Sequence, residues 1–159
     1  ERGTDVDVIL DLMIHDLDIV LAAVPAELVE IRAVGVPVVS KNIDIANVRL
    51  EFSNGCVANL TASRISTKKM RKIRFFQKDA YFSLDYAQRE LVIVKKESKD
   101  LLPFSHEVLR FEKNDPLKEE IANFIQCIKE KKSPVISGEH GRYVLAIALK
   151  INQCIQKIR

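Results

Sequence analysis

An α+β fold is predicted for this chain, built on a largely antiparallel or mixed open sheet of about six or seven strands with helices packed on one face. Three observations predict it. The sequence opens on an apolar segment of helical character, continues through short segments of period-2 hydropathy, and closes on two segments of helical period. The turns between the period-2 segments are short. Parallel strands need crossovers of about a dozen residues or more, so these strands should meander antiparallel.

Residues from about 6 to 23 read as the first helix, and Pro25 supports its end. Residues 28–36 are a strand. Residues 47–52 are the next, with Val48, Leu50 and Phe52 on one face and Arg49 and Glu51 on the other. Ser53-Asn54-Gly55 is a hairpin turn, because Asn-Gly tolerates the positive φ such turns need. Residues 56–65 form its partner strand. Further strands follow at 72–77, 81–86, 91–95 and 107–111, joined at Lys78-Asp79-Ala80 and Ala87-Gln88-Arg89. Residues 98–105, with Pro103, read as a loop. Asp115-Pro116 is an N-cap followed by proline at the first helical position. Glu119 and Glu120 suit that helix's positive end, and residues 129–132 its negative end. Ile121, Phe124, Ile125 and Ile128 make its apolar stripe. Ser137 caps the last helix, in which Val144, Leu145, Ala148, Ile151 and Ile155 have helical spacing.

The 159 residues are one domain's worth, and 47% hydrophobic with 30% charged is ordinary for a soluble globular protein. A net charge of +3 permits an anionic small molecule and does not argue for nucleic acid. Cys56, Cys127 and Cys154 are odd in number and scattered, which predicts neither a disulfide framework nor a zinc site. No stretch approaches the roughly 18 apolar residues of a membrane span. A cytoplasmic location is therefore expected, with no membrane, nucleic-acid or metal partner. The chain opens almost directly into its best helix, as a piece of something longer would. Leu91-Val92-Ile93-Val94 is apolar on both faces of its strand, and Phe75 and Phe76 point opposite ways. Helices on one side would leave half of these wet, so a second cover is expected, either another subunit or a further domain. The plainer reading is a few tolerated surface hydrophobics.

The chemistry is sought first at Asp11 and His15. At about 100° per residue, Asp7, Asp11, His15 and Asp18 share a narrow stripe on an otherwise apolar helix. Buried ionisable groups are costly unless paired or used, so the stripe should face a cavity. An imidazole beside carboxylates serves as a general acid or base near neutral pH. The bland alternative is a part-exposed Asp–His pair of little consequence. A second candidate is the basic run Arg64, Lys68, Lys69, Arg71, Lys72 and Arg74, able to hold phosphate. Its alternative is a solvated strand edge defended by charge. Residues 138–141 are not a phosphate loop, His106 and His140 read as surface or cap residues, and Tyr81 and Tyr86 as packing ones.

The stretch Val8-Ile-Leu-Asp-Leu-Met-Ile-His-Asp-Leu-Asp18 resembles the D-x-x-x-H helix of the C-terminal domain in the glucose–fructose oxidoreductase and inositol dehydrogenase (Gfo/Idh/MocA) family. The resemblance extends through the Asn54-Gly55 hairpin, the strand Asp79-Ala-Tyr-Phe-Ser-Leu-Asp-Tyr86 and the closing helix pair. It implies that residues 1–159 are a single substrate-binding and oligomerisation domain. The family's N-terminal Rossmann domain, which binds NAD or NADP, would lie outside this sequence. It further implies His15 as the acid/base partner of a reacting hydroxyl and Asp11 as a group that binds or orients substrate. The substrate would be a sugar or nucleotide sugar, and the open sheet face would carry a homo-oligomer contact. This sequence has only five glycines, no dinucleotide fingerprint, and Thr4-Asp5-Val6-Asp7 in place of the family's glycine-rich lead-in. No cofactor is therefore expected on this stretch, which alone should be inactive. The run 62–74 resembles the branch acting on UDP-N-acetylglucosamine at C3, in which Arg64 and Lys69 would meet a diphosphate. A non-catalytic dimerisation or ligand-binding module of the same fold is the alternative.

Overall fold

The computed structural model describes residues 5–67, 70–97, 104–112 and 115–158. The class is α+β, and among the described residues there are seven strands with every ladder antiparallel. The strands hydrogen-bond as two sheets, β1-β2-β3 and β4-β5-β6-β7. The chain divides to match: one compact unit is Glu1–Thr67 with Val135–Arg159, the other Lys68–Pro134. Period-2 patterning predicts neighbours within each meander. It carries no signal for whether β3 goes on to pair with β4, which is why a single sheet was expected.

The first unit holds the core. Its opening helix begins as a π segment, Ile9–Met13, and continues as α1, Ile14–Ala23. The strands are β1 (Leu28–Val36), β2 (Ile45–Phe52) and β3 (Val57–Ser63). Helix α3, Gly138–Ile158, returns to this unit from the far end of the chain. Val48, Leu50 and Phe52 alternate inward along β2 and are buried with Val8, Ile9, Met13, Leu17 and Val20 of the opening helix. Helix α3 adds Val144, Ile147, Ala148, Ile151 and Ile155, whereas Leu145 is 44% exposed. The buried set follows the 3.6 period more closely with Ile147 in the place expected for Leu145. Gly35 marks the tightest approach: a Cβ there would lie 2.7 Å from Ile43 Cγ2 and 3.0 Å from Ile155 Cδ1. At the β2–β3 turn only Gly55 has positive φ, +81°, while Asn54 Oδ1 accepts from Cys56 N–H at 3.0 Å. The glycine bends the chain, and the asparagine side chain holds the bend.

The second unit comprises β4 (Lys72–Gln77), β5 (Ala80–Asp85), β6 (Glu90–Lys96), β7 (Phe104–Arg110) and α2 (Pro116–Glu130). Phe104 and Ser105, read as loop from sequence, belong to β7; the rest of that expected loop, 98–103, lies outside the described residues. Asp115 caps α2 by accepting from Leu117 and Lys118 N–H, and Lys131 ends it at a left-handed φ of 54°. Ser83 is the only residue classed as buried among the described residues of this unit. Leu91, Val92, Ile93 and Val94 are half-buried on both faces, as their apolar run suggested. The stripe Ile121, Phe124, Ile125, Ile128 is between 46% and 62% exposed.

Candidate active site

The expected stripe of Asp7, Asp11, His15 and Asp18 is taken apart by the backbone. Ile14 N–H bonds to Ile9 O, five residues back, which defines the π segment. Such a wide turn fits in one extra residue and rotates everything after it relative to a regular helix. Asp7 is the N-cap: its Oδ1 accepts from Ile9 N–H at 2.9 Å and Leu10 N–H at 3.0 Å. Its Oδ2 accepts from Asn152 Nδ2 of α3 at 2.9 Å. Asp18 pairs with His140 on α3, Oδ1 to Nε2 at 2.8 Å. Asp11 and His15 of the four lie toward solvent with neither capping the helix nor bonding to α3, whereas Asp18 is held by His140 although its side chain is 40% exposed. Asp11 and His15 are both exposed, and His15 makes no hydrogen bond or ion pair with the described residues.

Asp11 is tied to the fold through Arg64, the residue after β3. Arg64 Nη2 lies 3.8 Å from Asp11 Oδ2, and its Nε 3.7 Å from Asp44 Oδ1. The same guanidinium donates to Val6 O at 2.5 Å, and its side chain is 12% exposed. Asp44 is fully buried at the start of β2. Its Oδ2 accepts from Val38, Val39 and Ser40 N–H at 2.7, 2.8 and 2.8 Å, and its Oδ1 from Ser40 Oγ at 2.7 Å. Burial alone would push this carboxyl up. The three backbone donors and the Ser40 hydroxyl outweigh burial and hold it well below the usual carboxylate range. Sequence reasoning missed Asp44, because its partners are backbone groups of a loop whose path no periodicity encodes. An acidic residue closing a Pro37–Asn42 stretch just before a strand was the available signal.

Lys69, the second expected phosphate contact, lies outside the described residues, and Lys72 is paired with Asp85 at 3.6 Å. A shallow concavity of about 300 Å³ lies on the outer face of the first sheet, lined by Arg32, Val34, Asn47, Arg49, Asn59 and Thr61 among others. Asp11 and His15 do not line it. Among the described residues no group of His, Cys, Asp or Glu is arranged to hold a metal, and no helix is long and apolar enough to cross a membrane.

A model of the GFO/IDH/MocA C-terminal domain matches residues 2–82, a stretch that contains the π segment, Asp11, His15, Asp44 and Arg64. The chain belongs to this family. Among GFO/IDH/MocA relatives, UDP-N-acetylglucosamine 3-dehydrogenase of Acidithiobacillus ferrooxidans is 38% identical over 158 residues, covering 98% of this chain and 50% of the relative. Its solved structure superposes with a TM-score of 0.89 over the same shares. Myo-inositol 2-dehydrogenase of Thermotoga maritima is 26% identical over 163 residues, 96% of this chain and 48% of that one. A levoglucosan dehydrogenase structure in complex with NADH shares the fold, with a TM-score of 0.83 at 16% identity, over 94% of this chain and 48% of its own. The chain spans about half the length of the curated relatives it matches.

Proposed function

We propose that this chain is the substrate-binding and catalytic-helix half of an NAD(P)-dependent oxidoreductase acting on a sugar or nucleotide-sugar hydroxyl or carbonyl, with UDP-N-acetylglucosamine the favoured substrate. The observation that carries the reading is the 38% identity to a UDP-N-acetylglucosamine 3-dehydrogenase across 98% of the chain. In this reading His15 takes the hydroxyl proton as the alcohol carbon becomes a carbonyl, the hydride from that carbon would pass to an oxidised nicotinamide held outside this stretch, and His15 returns the proton in the reverse direction. Asp11, held toward Arg64 on one oxygen, accepts a hydrogen bond from the sugar on the other. Lys69 meets the diphosphate as a point charge.

The described residues do not fit a dinucleotide. Every ladder is antiparallel, and no glycine-rich turn leads from a strand into a helix. NAD or NADP would therefore be bound mainly by a Rossmann half outside this stretch, and residues 1–159 alone would turn nothing over. In the full-length protein, His15→Asn should lower kcat by about 10²- to 10⁴-fold, followed by nicotinamide absorbance. Unchanged turnover in that variant sinks the assignment. Lys69→Ala should raise KM for the nucleotide sugar with less effect on a neutral sugar.

A second reading, a ligand-binding or dimerisation module without catalysis, is favoured by one observation: His15 is exposed and lacks a partner among the described residues. The neighbouring gene sequence separates the two. A G-x-G-x-x-G followed by E-K-P, a motif that the family resemblance implies in the N-terminal domain with a catalytic lysine, supports the enzyme, and their absence the module. In either case the exposed apolar sheet surfaces support a homo-oligomer.

A further inference from the structure

The geometry points to Arg64 as a positioning residue for Asp11, itself anchored by the buried carboxylate of Asp44. This inference rests on the catalytic reading above and departs from the expectation that Arg64 binds phosphate. Three observations carry it. First, the guanidinium is enclosed by partners: Nη2 donates to Val6 O at 2.5 Å, and the Asp44 and Asp11 carboxylates lie at ion-pair separations of 3.7 Å from Nε and 3.8 Å from Nη2, with the side chain 12% exposed. An arginine that receives a diphosphate needs a paired N–H edge open to it. Second, the anchor is rigid. Asp44 is fully buried, and four donors from Val38, Val39 and Ser40 fix its two oxygens. Arg64 N–H also donates to Asp44 O at 3.0 Å, so backbone and side chain are fastened to the same residue. Third, the target is the exposed end of the chain of contacts. The Asp11 side chain is 41% exposed, and its Oδ2 faces Arg64. A surface carboxylate otherwise samples several rotamers. A fixed cation on one oxygen selects among them and leaves the other oxygen directed outward. The loop that holds Asp44 also supplies Ile43 O, which accepts from Val8 N–H at 2.9 Å at the head of the helix. Helix start and cation are thus set by one loop.

The test uses the full-length protein, with UDP-N-acetylglucosamine and a neutral sugar as substrates and nicotinamide absorbance as the readout. Arg64→Lys keeps the charge and loses the fork. It should lower kcat by about 10²-fold, the cost of a misplaced catalytic group, while KM for the nucleotide sugar stays within about threefold. Asp11→Asn should lower kcat similarly, and the double variant should fall no further than Asp11→Asn alone. Should Arg64→Lys fail to fold, Ser40→Ala loosens Asp44 without touching Arg64 or Asp11, and a kcat-only loss of about fivefold is expected. A tenfold rise in nucleotide-sugar KM at constant kcat overturns the inference, as do additive losses in the double variant. A wild-type protein that oxidises only the neutral sugar overturns the substrate reading, and Arg64 is then judged on that sugar. A wild-type protein with no dehydrogenase activity overturns both.

Discussion

Asp44 is a fully buried carboxylate that reaches Asp11 only through Arg64. Its carboxyl is held below the ordinary value of 3.8 in the folded chain by the loop N–H groups and Ser40, against the opposing effect of burial. A depressed folded pKa stabilises the fold fully above the unfolded value, and the contribution fades as pH falls below it. Asp44→Asn should therefore lower Tm by on the order of 10 °C at pH 7. That gap to the wild type should stay constant above about pH 5 and narrow below pH 3.8, as thermal melts across that range would register. Glycines act by a different route. Gly35→Ala drives a methyl into Ile43 and Ile155 and should cost about 1–3 kcal/mol in chemical denaturation. Gly55→Ala meets no atom within 4 Å and should cost about 1 kcal/mol through its φ of +81° alone. Asn54-Gly55 could be read from sequence because the dipeptide carries its own turn chemistry. Asp44 and Gly35 could not, since each answers to residues brought near only by the fold.

At the level of elements, alternation was legible wherever one face was buried. β1 and β4 begin and end where period 2 placed them, and β2 buries Val48, Leu50 and Phe52 as expected. Leu50 is fully buried in the central strand, so Leu50→Ala should destabilise the fold by about 2–5 kcal/mol. The π segment was illegible. Val8, Ile9, Leu10, Leu12 and Met13 are apolar on nearly every side, and a pattern without a polar gap cannot report the phase of the backbone hydrogen bonds. That phase decides where Asp11 and His15 point, so four residues expected on one stripe are turned to different surroundings. Asp7 was counted with them, although an acid two and three residues before free N–H groups is an N-cap signal. Asp7→Ala should cost about 1 kcal/mol from the cap, read from thermal melts, and it also releases Asn152.

For the whole molecule, the apolar inventory is uneven. The core residues lie in the first unit, while in the second Phe76 is 77%, Phe104 57% and Phe111 55% exposed. Exposed apolar area of this kind is what the proposed homo-oligomer contact would cover. Sedimentation of the full-length protein should give a dimer or larger species at micromolar concentration, and Phe76→Asp should weaken it if that sheet carries the contact. A monomer at every concentration would leave those phenylalanines as tolerated surface. The return of α3 to the first unit has a consequence for synthesis. The sheet completed at Ser63 waits for Val144, Ile147, Ala148, Ile151 and Ile155, which the ribosome delivers only after the entire second unit has emerged. Early translation products therefore carry a greasy, half-roofed sheet, and chaperone capture should be heaviest on nascent chains stalled between those two points.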